Sequence, residues 1–219
     1  MSQQIPIDER LRLTEIYASV QGESTWAGVP CVFVRLTGCN LRCSWCDSEF
    51  TFTGGEHRSI DSVVAEARAF GIDCIEVTGG EPLAQRQCIP LLERLVEAGN
   101  TVLLETSGSI SIAEVPPEVH VILDLKAPDS GELEANHWPN LELLRPHHEV
   151  KFVLASRRDY EWARELIRSR DWDCTLLLSP VWGALDTAEL VDWMLEDQLP
   201  ARLSLQVHKV IWPKDARGV

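Results

Sequence analysis

The 219-residue sequence lacks the features of a membrane protein, a secreted protein or a nucleic-acid binder. No apolar run approaches the ~20 residues that a membrane-spanning helix needs, and its first ten residues, MSQQIPIDER, are too polar for a signal peptide. Basic residues are scarce: 20 Lys and Arg stand against 34 Asp and Glu, a net charge of −14. Because nucleic-acid binders concentrate positive charge for the phosphates, we expect a cytoplasmic protein that binds neither nucleic acid nor a membrane.

The sequence also lacks internal repeats and low-complexity tracts, which favours one domain over residues 1–219. Short apolar segments typical of buried strands alternate with amphipathic segments typical of helices. The predicted strands are 31–36, 74–77, 101–105, 121–125, 150–154, 174–178 and 202–206. The predicted helices are one capped by Ser59 and ended by Gly71, then 89–99, 159–169 and 186–196, whereas 128–140 resembles a loop.

This alternation indicates an α/β fold with parallel strands and outer helices covering both faces of the sheet. The sheet is either an open doubly wound sheet or a curved, incomplete barrel, since the chain is shorter than the ~250 residues of a full eightfold barrel. Polar residues follow the predicted strands at their carboxyl ends, the edge where parallel α/β proteins place their chemistry. These residues are the loop after Leu36, 78–82, 106–108, Asp124 and Lys126, 179–180, and Gln206, His208 and Lys209. Six such groups on one edge predict a pocket.

The seven cysteines do not suggest a disulfide framework, because their number is odd and no secretion signal precedes them. Cys39, Cys43 and Cys46 lie on one short loop, GCNLRCSWCDS. Thiolates select zinc or an iron–sulfur cluster, and this spacing lets one loop hold three irons of a cubane while the fourth iron stays open. Two alternatives remain: a zinc site with Cys31 or a histidine as fourth ligand, and a redox pair in the C-x-x-C unit.

The remaining cysteines, Cys74, Cys88 and Cys174, are predicted to be small buried apolar side chains.

The cysteine spacing, with Trp45 before the last cysteine and Gly79-Gly80-Glu81-Pro82 on the next βα turn, resembles the radical S-adenosylmethionine (SAM) superfamily. The resemblance implies an incomplete, modified (β/α) partial barrel and a [4Fe–4S] cluster bound by Cys39, Cys43 and Cys46. It also implies that SAM chelates the open iron and that its reductive cleavage yields a 5′-deoxyadenosyl radical, which abstracts a hydrogen atom.

A closer resemblance, to the 7-carboxy-7-deazaguanine synthases of the queuosine pathway, covers nearly the whole chain. It is carried by residues 15–23, 28–30, Arg35, 38–50 and 202–219. The resemblance implies radical ring contraction of 6-carboxy-5,6,7,8-tetrahydropterin to 7-carboxy-7-deazaguanine and ammonia. It further implies Mg²⁺, a reductant such as flavodoxin, and a homodimer.

The same resemblance implies a substrate-binding segment at about residues 14–30 and a C-terminal tail at about 207–219. The implied pterin contacts are Val20, Gln21, Gly22, Glu23, Arg35, Thr78 and His208. The implied SAM contacts are Trp45, Cys46, Asp47, Gly79, Gly80, Ser107, Asp124, Leu125, Lys126, Leu178, Ser179, Pro180 and Val181. Ser48 takes the Mg²⁺ position, where the family commonly has threonine; a serine hydroxyl is an equally hard oxygen ligand.

Without the resemblance, several of these residues have a structural interpretation. Arg35, in a buried strand, needs an anion, and that anion is either a ligand or a structural carboxylate. Gln21-Gly22-Glu23 is also consistent with a simple turn, and His208 with a core histidine; Asp124 and Lys126 are also consistent with surface residues. Two other functions stay open at this point: a glycyl-radical-enzyme activase and a zinc-binding module.

Overall fold

The computed structural model of the protein describes residues 10–213 and 216–219. These residues form nine strands in one sheet, in the order β3-β1-β2-β4-β5-β6-β7-β8-β9. The strands are β1 Arg10–Val20, β2 Pro30–Leu36, β3 Glu56–Ser59, β4 Cys74–Gly79, β5 Thr101–Thr106, β6 His120–Leu125, β7 Glu149–Leu154, β8 Thr175–Pro180 and β9 Arg202–Leu203. The α-helices are α1 Ile60–Ala69, α2 Cys88–Glu97, α3 Arg157–Arg168, α4 Thr187–Glu196 and α5 His208–Ile211.

The sheet is parallel from β2 through β9 and antiparallel where β1 pairs with β2 and β3. Alternate residues of the parallel strands join one apolar core with α1 to α4, for example Val34, Val77, Leu104 and Leu123. The opposite face carries polar residues and a small cluster of Cys31, Phe33, Cys74 and Leu103. An open sheet with its core helices on one face is an incomplete barrel, so the doubly wound alternative and the prediction of helices on both faces are wrong.

Side-chain caps explain where three of the helices begin. Ser59 accepts a hydrogen bond from the backbone N–H of Ser62 at the start of α1, and Ser156 accepts one from Asp159 at the start of α3. Asp186 accepts two such bonds at the start of α4. These hydroxyl and carboxylate oxygens bond N–H groups that have no partner within the helix.

The structure differs from the sequence prediction at both ends of the sheet. β1 and β3 were not predicted; β1 presents polar residues to the cavity face and so lacks the apolar run of the parallel strands. The last strand, predicted over 202–206, ends at Leu203, because Ser204 turns toward the loop before β2 and its hydroxyl accepts the N–H of Ser24. His208 therefore begins α5 rather than ending a strand.

The connection predicted as a loop, 128–140, holds short 3₁₀ helices, Pro128–Ser130, Leu133–Ala135 and Trp138–Glu142. The predicted substrate-binding segment, 14–30, lies on β1 and the loop before β2. The predicted tail, 207–219, consists of α5 and the residues after it, of which 214–215 lie outside the described residues.

None of the helices in the described part of the chain is long and apolar enough to cross a bilayer. A cytoplasmic location stays a prediction.

Truncation of a core leucine tests this packing. Leu92 of α2 is fully buried in the core, so Leu92→Ala should lower the free energy of unfolding by about 2–5 kcal/mol. Leu195 of α4 is 70% exposed, and Leu195→Ala should change it by less than about 0.5 kcal/mol. Urea denaturation followed by circular dichroism measures both. Equal effects of the two substitutions would contradict the described core.

Candidate active site

The polar face of the sheet opens into a cavity of about 770 Å³. Inward-facing residues of the parallel strands line it, together with β1, the loop 20–23, the cysteine loop (residues 38–48), α5 and the last residues of the chain. Most residues that the sequence predicted for the site lie on this wall. They are Val20, Gln21, Gly22, Glu23, Arg35, Cys39, Cys43, Trp45, Cys46, Asp47, Ser48, Thr78, Gly79, Gly80, Ser107, Asp124, Lys126, Ser179, Val181 and His208.

Three predicted SAM contacts do not line the cavity: Leu125, Leu178 and Pro180. Side chains alternate along a strand, so Leu125 lies between Asp124 and Lys126 but faces the helices. Leu178 likewise joins the helix-covered core. Pro180 is buried next to the cavity-lining Ser179. The predicted SAM contacts of these three residues stay predictions.

The cysteine loop presents three half-buried, free thiols to the cavity, from Cys39, Cys43 and Cys46. Ser44, which lies between the last two of them, anchors the loop: its N–H donates to the Ser130 carbonyl (3.0 Å) and its hydroxyl to the Asp129 carbonyl (2.6 Å). Three free thiols on one short loop, facing one cavity, match the donor set of an iron–sulfur cluster with one open iron.

The zinc alternative loses Cys31, one of its two proposed kinds of fourth ligand. Cys31 is fully buried at the amino end of β2, with its sulfur 3.7 Å from that of Cys74, and it does not line the cavity. The prediction that the other cysteines are buried holds for Cys74 and Cys88, whereas Cys174 is only half-buried.

Two glycines and one glutamate fix the cysteine loop against β4 and β5. A Cβ at Gly80 would lie 2.5 Å from the Gly38 carbonyl and 2.6 Å from Cβ of Cys39, so only glycine allows this approach. The carboxylate of Glu81 is fully buried and accepts hydrogen bonds from the hydroxyls of Thr106 and Ser107 and from the N–H of Ser107. The Gly79-Gly80-Glu81 segment therefore packs directly against the cysteine loop and fixes its position.

The residues predicted to meet SAM include one buried acceptor with an unused atom. Lys126 donates to Oδ2 of Asp124 at 2.9 Å, whereas the buried Oδ1 of Asp124 has no hydrogen-bond partner in the described part of the chain. A buried oxygen without a partner is costly, and a ligand hydroxyl would satisfy it. Asp124 therefore suits a ribose.

The other half of the cavity is built around the loop before β2. Glu23 accepts hydrogen bonds from Lys151 at 2.8 Å and from Gln206 at 3.0 Å, and its own N–H donates to the side chain of Gln21. Nε2 of Gln21 donates to Glu76 at 2.6 Å. Gly22 packs against the His208 ring so closely that a Cβ there would lie 2.2 Å from Nδ1. The side chains of this loop form a hydrogen-bond network, so the loop is not a simple turn. His208 lines the cavity and is not a core histidine.

Arg35 has structural anions and still faces the cavity. Its Nε donates to Glu15 at 2.9 Å and its Nη2 to the Tyr17 hydroxyl at 2.8 Å. The guanidinium has five N–H donors, so three remain for a ligand. The Phe50 ring lies on the same guanidinium and also contacts the guanidinium of Arg217, at 5.9 and 4.2 Å respectively.

Glu23, Glu76, Glu105 and Lys151 form what we call the floor of the cavity. Burial and neighbouring charges set the ionisation of these side chains. Burial, together with the Glu105 carboxylate, raises the pKa of Glu76 well above its usual value. Burial opposes the charge on Lys151, but the Glu105 and Glu23 carboxylates outweigh it and raise the lysine pKa. Burial also lowers the pKa of His208. These pKa directions favour the neutral form of Glu76 and the charged form of Lys151.

Several cavity residues were not predicted from the sequence. They are Glu15, Tyr17, Phe50, Glu76, Glu105, Lys151, Val153, Trp182, Arg217 and neighbouring residues of the tail. A signal existed for three of them: Glu76, Glu105 and Lys151 are single charged residues inside otherwise apolar strands. A buried charge in such a strand requires a partner or a ligand.

Comparison with known proteins agrees with this geometry. The family model described as Radical SAM superfamily matches residues 33–169. The chain is 46% identical over 226 residues to the 7-carboxy-7-deazaguanine synthase of Koribacter versatilis, covering 95% of this chain and 100% of that one. It is 45% identical over 214 residues to the synthase of that name from Chlorobaculum tepidum, covering 95% and 97%. The crystal structure of QueE from Escherichia coli shares the fold, with a TM-score of 0.71, 24% identity and coverage of 91% and 95%.

The partial barrel, the three-cysteine loop and the family match define a radical SAM enzyme, whose cofactors are a [4Fe–4S] cluster and SAM. Within that superfamily, the chain belongs to the 7-carboxy-7-deazaguanine synthase family.

Gly80→Ala should disturb the cysteine loop because the new methyl group would overlap the Gly38 carbonyl. We expect the reconstituted variant to hold less than half the iron of the unsubstituted protein. The control is Gly99→Ala, where the positive φ is unfavourable for alanine but no atom lies within 4 Å of the added Cβ. It should lose stability and keep its iron. Iron determination after anaerobic reconstitution measures this, and full iron content in Gly80→Ala would contradict the assigned packing.

The raised pKa of Glu76 makes stability depend on pH. The folded chain keeps a proton that the unfolded chain releases near pH 4.5, so the stabilisation is complete below that pH and is lost as the pH rises toward the folded-state pKa. Glu76→Gln cannot ionise. Its free energy of unfolding should therefore rise relative to that of the unsubstituted protein between pH 5 and pH 8 in urea titrations. The exposed Glu97→Gln should show no such trend; a parallel pH dependence of Glu76→Gln and the unsubstituted protein would contradict a protonated Glu76.

Proposed function

We propose that the chain catalyses ring contraction of 6-carboxy-5,6,7,8-tetrahydropterin to 7-carboxy-7-deazaguanine with release of ammonia, in 7-deazapurine or queuosine biosynthesis. The observation that carries this proposal is one cavity lined both by the three thiols and by Glu23 and Arg35. Cys39, Cys43 and Cys46 would hold the cluster, which together with SAM would supply radical hydrogen-atom transfer. The chain's own residues bind and orient the two ligands.

The substrate has two charged or polar edges, and the cavity has a group for each. The aminopyrimidinone edge presents neighbouring N–H donors, which one carboxylate accepts in parallel; this is the role of Glu23. The substrate carboxylate takes the remaining N–H groups of Arg35, whose planar fork matches it. Backbone groups of Val20, Gln21 and Gly22, with Thr78 and His208, complete the pterin site.

SAM occupies the other half of the cavity. Asp124 accepts a ribose hydroxyl at its unpartnered oxygen, next to Lys126. The backbone of Gly79 and Gly80 and the side chains of Trp45, Asp47, Ser107, Ser179 and Val181 form the surrounding wall.

Mg²⁺ binds at Ser48. The hydroxyl of this residue does not cap the 3₁₀ helix that follows it, and its contact is the Cys46 sulfur at 3.8 Å. Mg²⁺ keeps several waters and takes oxygens from its substrate, so one protein oxygen suffices.

The partners we propose are a one-electron donor such as flavodoxin and a second copy of the chain. Exposed apolar side chains that follow β9 in the chain support a homodimer; they are Leu205, Val210 and Ile211. A short edge strand next to apolar surface is a place where a second subunit can bury both.

An anaerobic assay tests the function. The cluster is reconstituted, dithionite, SAM, Mg²⁺ and the carboxytetrahydropterin are added, and the product is followed by mass spectrometry. Many turnovers per SAM would establish both the reaction and the return of the hydrogen atom. Formation of 5′-deoxyadenosine without the deazaguanine would reject the pterin and favour another radical substrate, such as a glycyl-radical protein. Colourless protein that carries zinc would reject the radical chemistry.

Arg35→Ala should lower kcat/KM for the pterin by roughly 30-fold or more, because a buried charge pair with the substrate is lost. SAM should still be cleaved reductively, since the cysteine loop is untouched. Arg58→Ala is the control: it removes another arginine paired with glutamates, on β3 and outside the cavity. Normal pterin turnover by Arg35→Ala would remove Arg35 from the substrate site.

Ser48→Ala should raise the Mg²⁺ concentration needed for half-maximal turnover, because one oxygen ligand is removed. Ser44→Ala deletes a hydroxyl of the same loop that donates to a carbonyl instead, and should leave the Mg²⁺ dependence unchanged. A Mg²⁺ titration of both variants measures this. If Ser48→Ala also shows unchanged dependence, Ser48 is not a ligand.

A further inference from the structure

Lys151 is a buried cation at the cavity floor that the sequence prediction missed and the proposed chemistry does not use. It lies on the inner face of β7, and its side chain is 4% exposed. Its ammonium donates to Oε2 of Glu23 at 2.8 Å and to Oε1 of Glu105. A buried ammonium is stable only when anions surround it, and removal of one member of such a group leaves an uncompensated charge.

The contacts around Glu23 fix both its backbone and its carboxylate. The side chain of Gln21 holds the Glu23 N–H and is itself fixed by Glu76. Lys151 binds one carboxylate oxygen of Glu23, and Gln206 donates to the other. The carboxylate therefore has one orientation set by charged and neutral donors, and each oxygen still has capacity to accept a further hydrogen bond from the cavity.

β7 holds the same loop at a second point. Glu149 precedes Lys151 by two residues, so both side chains leave the strand on the same face. Glu149 accepts hydrogen bonds from the N–H and the hydroxyl of Thr25, two residues beyond Glu23. β7 therefore contacts the substrate-binding loop through an anion, Glu149, and a cation, Lys151. Of the two, Lys151 contacts the Glu23 carboxylate.

We propose that Lys151 is a positioning residue for pterin recognition, which keeps Glu23 ionised in the dry floor and aims it at the N–H edge of the substrate. This inference rests on the proposed function, since Glu23 is the proposed acceptor for that edge. Two carboxylates, of Glu23 and Glu105, pair with the one ammonium of Lys151, so anionic groups outnumber the cation there. Such a floor favours a ligand edge that donates hydrogen bonds over one that accepts them. Lys151 itself does not touch the reacting atoms.

A structural role and a positioning role predict different kinetics. If Lys151 only stabilised the fold, its loss would lower SAM binding and pterin turnover together. If it acts through Glu23, its loss raises the KM for the pterin and leaves SAM binding unchanged. Its effect also disappears once Glu23 no longer carries a charge, because residues that act through one another are not additive.

The test is a double-mutant cycle with Lys151→Met and Glu23→Gln on the reconstituted enzyme. We expect Lys151→Met to raise the pterin KM at least tenfold, with SAM affinity within about twofold of the original. In the Glu23→Gln background the same substitution should change the KM by less than about threefold. Lys151→Arg, which keeps the cation, should recover part of the loss. Additive effects, or equal losses of SAM and pterin affinity, would overturn the positioning role.

Lys151→Met leaves two carboxylates without their cation, and the variant can fail to fold. Lys151→Met with Glu105→Gln removes one cation and one anion together, and Glu105→Gln alone is its matched control. The pterin KM of the double variant should exceed that of Glu105→Gln by the same tenfold. Equal KM values would reject the inference. Absence of product with the unsubstituted enzyme would overturn the proposed function and this inference together. Normal product formation by the unsubstituted enzyme, together with an unchanged pterin KM in the Lys151 variants, would overturn the inference alone.

Discussion

The parallel strands of this protein pack one face against the helices and leave the other face to line a cavity, and the rest of the structure depends on that constraint. Successive side chains point to opposite sides of a strand. In β4, Ile75 and Val77 face the helices while Glu76 and Thr78 face the cavity. Helices cover the apolar face, and the polar face must then be satisfied by ligands and by the chain itself. An open sheet with one polar, concave face is the outcome.

That concave face divides into two parts with different supports. The cofactor part depends on close backbone packing, with Gly80 against Gly38 and the Glu81 carboxylate beneath the loop. The part proposed to bind substrate depends on charge, with Glu23 held by Lys151 and Gln206. A closely packed region is sensitive to substitutions that change side-chain volume, whereas a charge network is sensitive to changes in the ionisation of its members. The two halves of one cavity are therefore sensitive to different kinds of perturbation.

The sequence predicted the parallel strands and the Ser59 cap of α1 because each is a local pattern: an apolar run, or a serine before an amphipathic segment. It predicted the cysteine loop and the Gly-Gly segment because their spacing resembles a known superfamily. It did not predict β1, whose polar inner residues break the strand pattern, or the contacts of Lys151, which join residues 128 positions apart. Long-range pairing of charges has no local signature, although a lone lysine between Val150 and Phe152 marked the position.

The region that matches the superfamily, residues 33–169, contains the three cysteines, Gly80 and Asp124, but not Glu23 or His208. Those two residues come from chain segments on either side, one before β2 and one on α5, and they meet where Gly22 packs on the His208 ring. The loop before β2 is also held by strands of the matched region, through Glu76, Glu149 and Lys151. Divergence of substrate preference in the flanks is therefore expected to be accompanied by compensating substitutions on the inner faces of β4 and β7.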